Sequence, residues 1–208
     1  SISIQDIETY IDLWNWKELA ENIKVDWNDQ RVFKLFQENG DGSIWSTISK
    51  TTPVESIKSV IQEYAKYWNW TTLTKRFDDD FIKKQIENFN WDFEELSYKE
   101  TGLVKSLLPS LKDRDWDWNY LSKNLPNDFI ESNINDFPWD YYEITISENE
   151  IFKNTFIKYR NDLEVLISKS WNWRFISEKI NLNFLHKNIS ALSSKLDWHI
   201  VLNRFLTN

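Results

Sequence analysis

Tryptophan recurs along this chain in a pattern that constrains the fold before any other property does. Four pairs sit two residues apart: Trp14 and Trp16, Trp68 and Trp70, Trp116 and Trp118, Trp171 and Trp173, enclosing Asn15, Asn69, Asp117 and Asn172 in turn. Random placement would give about one such pair. Aligning on the second aromatic, then asking for an aliphatic three residues on and a small residue after it, recovers further copies. The anchors are Trp16, Trp45, Trp70, Phe93, Trp118, Tyr141, Trp173 and Trp198, separated by 23 to 32 residues with a mean of 26. A second apolar cluster follows most anchors, as in Ile57 and Ile61, Phe81-Ile82, Phe129-Ile130, Phe152 and Phe156, and Phe184-Leu185, with Ile86, Ile134 and Ile189 beyond. Each unit reads as two short helices joined by a turn.

The motif has a physical reading. The central Asn or Asp is suited to be a helix N-cap, its side chain accepting a backbone N–H that the first turn cannot use. The outer Trp then lies just before the helix and staples onto Leu19, Leu73, Leu121 or Ile176, and Glu18 stands at capping-box spacing from Asn15. The small residue four after the anchor lets a neighbouring helix approach closely. Helices this short are marginal alone, so neighbours must hold them, and stacked copies would bury one continuous core. The expected fold is an all-α solenoid of about eight two-helix repeats of about 26 residues, of either hand, running as a single array over residues 1–208. Gly40, Gly42, Gly102, Pro53, Pro109, Pro126 and Pro138 are expected between helices. Residues 1–13 read as the second helix of an incomplete preceding unit. The long spacings place insertions at Val25 to Gly42, where Trp27 fills the longer turn, and at Ile151 to Ser170.

The run Trp116-Asp117-Trp118-Asn119-Tyr120-Leu121-Ser122, followed by Phe129-Ile130 and by Pro138-Trp139-Asp140-Tyr141, resembles the short W-D-W-x-x-L-S repeats of large-DNA-virus and bacterial repeat proteins. The resemblance extends over roughly residues 14 to 204. Ser43-Ile44-Trp45 departs from it, lacking the outer Trp and the Asn or Asp, and Leu196-Asp197-Trp198 has Leu in the outer place. The resemblance implies a helical array and no catalytic residues.

Composition narrows the function. The absence of Cys removes disulfides, zinc-thiolate sites and thiol chemistry, and points to a reducing compartment, most simply the cytoplasm. A start at Ser with no Met anywhere fits a processed or excised segment. No stretch has the apolar length of a membrane helix, so no membrane partner is expected. A net charge of −8 opposes general attraction to phosphate backbones. The charge is uneven: Lys153 onward carries nine Lys or Arg against four Asp or Glu, a polarity suited to end-to-end self-association or to an acidic partner.

Catalytic constellations are not apparent. His186 and His199 lack metal-site spacing, Asp78-Asp79-Asp80 is better suited to cap the following helix than to hold a cation, and Gly-rich phosphate loops do not occur. The chain therefore reads as no enzyme, with no cofactor. The tryptophans sit at core and capping positions, leaving the residues just after the anchors to face outward. Lys17, Glu18, Thr71, Thr72, Asn119, Tyr120, Arg174 and Phe175 are the candidate partner-binding positions. The expected function is a non-catalytic scaffold or recognition segment for a protein partner, part of a larger protein, with single-strand nucleic-acid recognition as the alternative.

Overall fold

The computed structural model is all-helical. It describes residues 2–207 apart from Ile23, Glu148, Asp162 and the side chains at positions 146–150, 163, 166 and 207. The chain divides into two compact units, residues 1–115 and 116–208. The first holds α1 Ile4–Thr9, α2 Trp16–Glu21, α3 Arg31–Asn39, α4 Ile44–Thr51, α5 Val54–Val60, α6 Trp70–Arg76, α7 Asp79–Gln85, α8 Phe93–Leu96 and α9 Thr101–Leu111. The second holds α10 Trp118–Asn124, α11 Asn127–Ser132, α12 Tyr141–Ser147, α13 Asn149–Lys158, α14 Leu163–Ser168, α15 Trp173–Lys179, α16 Leu182–Leu192 and α17 Trp198–Thr207. Among the described residues no helix is long and apolar enough to cross a membrane.

Anchors open helices for a local reason. Asn15, Asn69, Asp92, Asp117 and Asn172 hold extended or near-extended backbone, and each side chain accepts the N–H three residues on, satisfying a donor the first turn leaves over. Asp140 and Asp197 do the same for Glu143 and Ile200. Ser43 holds helical backbone and donates its hydroxyl to Asp41, and so gives α4 no side-chain cap. Glu18 does not complete a capping box: its carboxylate accepts from the Asn15 side-chain amide, while the reciprocal box forms at Ser3 and Asp6.

Within each unit the anchor helices pack in succession, α2 on α4, α4 on α6 and α6 on α8, then α10 on α12, α12 on α15 and α15 on α17. The same joint recurs at these contacts. The anchor aromatic of one helix meets the outer Trp of the next edge to face: Trp45 with Trp68, Trp70 with Trp91, Trp118 with Trp139 and Tyr141 with Trp171, centroids 4.9 to 5.5 Å apart. Each such pair adds about 0.5–1.5 kcal/mol beyond its buried area. The outer Trp also reaches back, its indole N–H donating to a carbonyl near the end of the preceding element, as Trp68 does to Ile61 and Trp139 to Asn133.

The small residue four after the anchor does more than allow close approach. Ser49, Thr74, Ser122, Thr145 and Ser177 are buried, and each hydroxyl oxygen accepts the backbone N–H of the cap residue opening the next anchor helix: Asn69, Asp92, Asp140, Asn172 and Asp197, at 2.8 to 3.3 Å. Thr145 and Ser177 donate in turn to the carbonyl four residues back. A second polar link runs the other way. Six residues after the anchor, Arg76 donates to the Ser49 and Thr52 carbonyls, Lys99 to that of Phe77 and Arg204 to those of Ser177 and Ile180. These carbonyls end the preceding anchor helix, so a neighbouring cation closes a terminus that has no partner of its own. At the first joint Ala20 has no hydroxyl, and Thr51 bonds its carbonyl instead.

Several expectations change. Gly102 and Pro109 lie inside α9 rather than between helices. Gly102 is in the first turn, where helix propensity matters little, and the missing Pro109 donor is offset by the burial of Leu103, Val104, Leu107, Leu108 and Leu111. Ile189 is 46% exposed beside Asn188, whose backbone leaves the helical region (φ −127°, ψ 18°) and interrupts the register that would place Ile189 on the buried face. Trp27, by contrast, fills the longer turn as expected, buried against Phe33 and Phe36. The longest spacing accommodates an additional helix, α14.

Three substitutions test this account by urea denaturation. Ser122→Ala leaves the Asp140 N–H without its acceptor and should cost about 1–3 kcal/mol, whereas loss of the exposed Ser132 hydroxyl should change stability by less than about 0.5 kcal/mol. The Thr52 hydroxyl is buried with no hydrogen-bond partner among the described residues. Thr52→Val should therefore stabilise the chain by about 1 kcal/mol.

Candidate functional site

The candidate positions lie in the first turns of the anchor helices, where the Asx cap fixes the backbone and the third residue of the turn is drawn into the core. The first two residues after the anchor are thereby left toward the surface. Lys17, Glu18, Thr71, Asn119 and Arg174 are exposed; Thr72, Tyr120 and Phe175 are half-buried. The first unit carries Lys17, Glu18, Thr71 and Thr72, and the second Asn119, Tyr120, Arg174 and Phe175.

Several of these side chains are engaged with the neighbouring helix rather than simply facing water. The Thr71 hydroxyl donates to the Asp92 carboxylate, and the Asn119 amide to those of Asp140 and Glu143. In both cases the residue after one anchor reaches the cap of the next. Lys17 takes a related place: the Asp41 carboxyl is held below its ordinary range chiefly by the hydroxyl and N–H of Ser43, and Lys17 adds to this. Arg174 turns along its own helix to Glu178 at 3.6 Å.

Sequence reasoning missed the partners of this surface. Lys75 and Lys123, five after their anchors, pair with Glu95 and Glu143, two after the next anchors, at 2.8 and 3.2 Å. Lysine at one offset and glutamate at another was a readable signal once the copies had been aligned. Such exposed pairs are worth little individually, and they fix side-chain direction more than stability. The result is a surface of alternating charge in which each group's position is set by the helix beside it.

Titratable groups elsewhere have structural explanations. Asp78 accepts the Phe81 N–H at 2.7 Å and meets Lys58 at 3.2 Å; these two contacts, the backbone bond first, hold its carboxyl below the ordinary value of 3.8. Lys58 also lies 5.0 Å from the centre of the Phe81 ring. Asp79 lies 3.5 Å from the Lys99 ammonium. Burial pushes Tyr141 up to about 12, with its hydroxyl donating to the Ile134 carbonyl at 2.6 Å. His186 and His199 are both exposed, the latter 3.5 Å from the Asn203 amide. Among the described residues no group of three or more His, Cys, Asp or Glu is placed to hold a metal.

The outer tryptophans offer little stacking platform, while Tyr10, Tyr98, Tyr142 and Phe205 are exposed. Trp68, Trp91, Trp116, Trp139 and Trp171 are each 4–5% exposed, and the anchors Trp70, Phe93, Trp118 and Trp173 are half-buried.

No family model matches this chain, and no curated protein or solved structure is similar enough to match it.

The Asp78 geometry sets a sign for acid stability. A carboxyl whose native pKa is lowered contributes stability above its unfolded pKa and loses it as pH falls through the native value. Asp78→Asn keeps a capping oxygen but cannot titrate. Its urea midpoint should fall less than that of the parent between about pH 5 and about pH 2; parallel curves would remove Asp78 from the acid transition.

Proposed function

We propose that the chain is a helical solenoid of about eight two-helix repeats, a non-catalytic recognition scaffold for a protein partner within a larger protein. The observation that carries this reading is the recurring joint between anchor helices. Cap N–H, buried hydroxyl and ring contacts fix successive helices in register, and the residues just after the anchors add only surface contacts such as Thr71 to Asp92 and Asn119 to Asp140. Those positions then vary at small cost to the fold, the condition under which a repeat array acquires binding specificity.

Lys17, Glu18, Thr71, Thr72, Asn119, Tyr120, Arg174 and Phe175 form the recognition surface in this reading. Their mixture of both charges, amide, hydroxyl and half-buried aromatic groups suits a protein surface better than a phosphate backbone, to which an acidic chain is not generally attracted. Single-strand nucleic-acid binding is less well supported, because the outer tryptophans are taken up by packing and the chain is acidic.

Affinity capture from source lysate, with and without nuclease and read by mass spectrometry, checks the proposal. A protein should be retained after nuclease treatment and released when Lys17→Glu and Arg174→Glu are combined. Retention of nucleic acid alone, or of a protein indifferent to both substitutions, would turn the assignment over.

A further inference from the structure

A cleft of about 480 Å³ opens in the second unit between α13, the turn from α15 into α16, and α17. Its lining brings together Lys153, Lys179 and Arg204, with the Asn181 side chain and the half-buried Leu182 and Phe184 beside them. Among the described residues the lining contains no carboxylate. We propose that this cleft docks an acidic peptide segment of a protein partner, its carboxylates meeting the three cations and its apolar side chains covering Leu182 and Phe184.

Position and charge are separate arguments here. Arg204 is fixed by its bonds to the Ser177 and Ile180 carbonyls, both 2.9 Å, so its guanidinium stands at the cleft wall before any ligand arrives. Preorganisation of this kind lowers the ordering cost of binding. The charge is not a by-product of the helix packing. A cleft in the corresponding place of the first unit, beside the turn after α2, has Thr51 where Arg204 stands and sets Asp26 near Lys24. The cleft beside the turn after α2 is thus nearly neutral where the one beside the turn after α15 is basic.

The surrounding charge selects the occupant. Within the second unit, residues 116–152 carry eight Asp or Glu against one Lys, a balance of −7, and residues from Lys153 onward carry +5. A long polyanion would be repelled by the acidic part of the same unit, whereas a short acidic segment need meet only the cations of the lining. A lone phosphate would pair with the cations but leave Leu182 and Phe184 uncovered. Carboxylates alternating with apolar side chains satisfy both parts of the lining.

The inference rests on the recognition reading above and can fail independently of it. The test is fluorescence anisotropy of the full chain with a labelled short peptide of alternating glutamate and leucine at low salt. Saturable binding is expected, weakened about tenfold by Lys153→Glu or Lys179→Glu. Lys187→Glu and Lys195→Glu make the same charge change at exposed positions outside the lining and should weaken it by less than about threefold. Absence of saturable binding, or equal weakening by all four variants, overturns the proposal. So does displacement of the peptide by inorganic triphosphate or a single-stranded oligonucleotide at equal charge. Should a charge reversal unfold the chain, Lys153→Gln and Lys179→Ala give the same reading. Lysate capture with Lys153→Glu and Lys179→Glu combined separates the two ideas: a partner still retained by that variant removes the cleft and leaves the scaffold standing.

Discussion

A buried hydroxyl accepting the N–H that opens the next helix is the interaction on which the rest of each unit depends. Anchor helices of four to ten residues form too few internal bonds to persist alone, since nucleation is costly and the end groups are unsatisfied. The joint addresses both deficits at one place. It satisfies a cap N–H that would otherwise enter the packed interface unbonded, and it does so from a side chain small enough for the helices to meet. The cap side chain then satisfies a second donor three residues on, and a cation from the following helix closes the carbonyls at the far end. α6 and α15 are thus completed by their neighbours at both termini.

Apolar burial supplies the driving force and the polar groups supply the register. The rings of Trp45, Trp70, Trp118 and Tyr141 could slide over a flat apolar surface at little cost. A slip that separated Ser122 from the Asp140 N–H, however, would strand a buried donor and acceptor together. Buried polar groups that are fully satisfied specify one arrangement where hydrophobic contact alone would permit several. Arg76 illustrates the trade. Burial lowers its pKa below the ordinary 12.5, a sign that its charge is partly desolvated, yet its two carbonyl partners hold it between adjacent helices.

Much of this was legible in the residues. The Trp spacing located the anchor helices, seven of which open on the anchor itself, and the enclosed Asn or Asp named the caps correctly, because both signals are local and depend on one turn of backbone. What the sequence concealed was mostly non-local. That a small residue after the anchor had to be Ser or Thr for bonding, rather than merely small, becomes visible only when the neighbouring cap is set against it; Ala20 and Leu202 at the same offset blur the pattern. The basic residues six after Arg76's, Lys99's and Arg204's own anchors look like ordinary solvated charge until the preceding helix end is placed beside them. Gly102 and Pro109 misled because they punctuate most chains, while in α9 the burial of one leucine-rich face outweighs them. Of the candidate surface, exposure followed from the helical register, but the ties of Thr71 to Asp92 and of Asn119 to Asp140 lie twenty-one residues apart and left no local trace.

The joint's two halves make unequal demands. The donor is a backbone N–H, which any non-proline residue carries, and the acceptor is a hydroxyl, which either Ser or Thr supplies. A copied segment inserted beside any other therefore arrives with both halves already compatible, whatever the length of its intervening turn, as spacings from 23 to 32 residues attest. Duplication, loss and reshuffling of such segments by recombination would preserve the register that point substitution at a buried serine destroys, so the unit of change in a chain built this way is the whole helix pair.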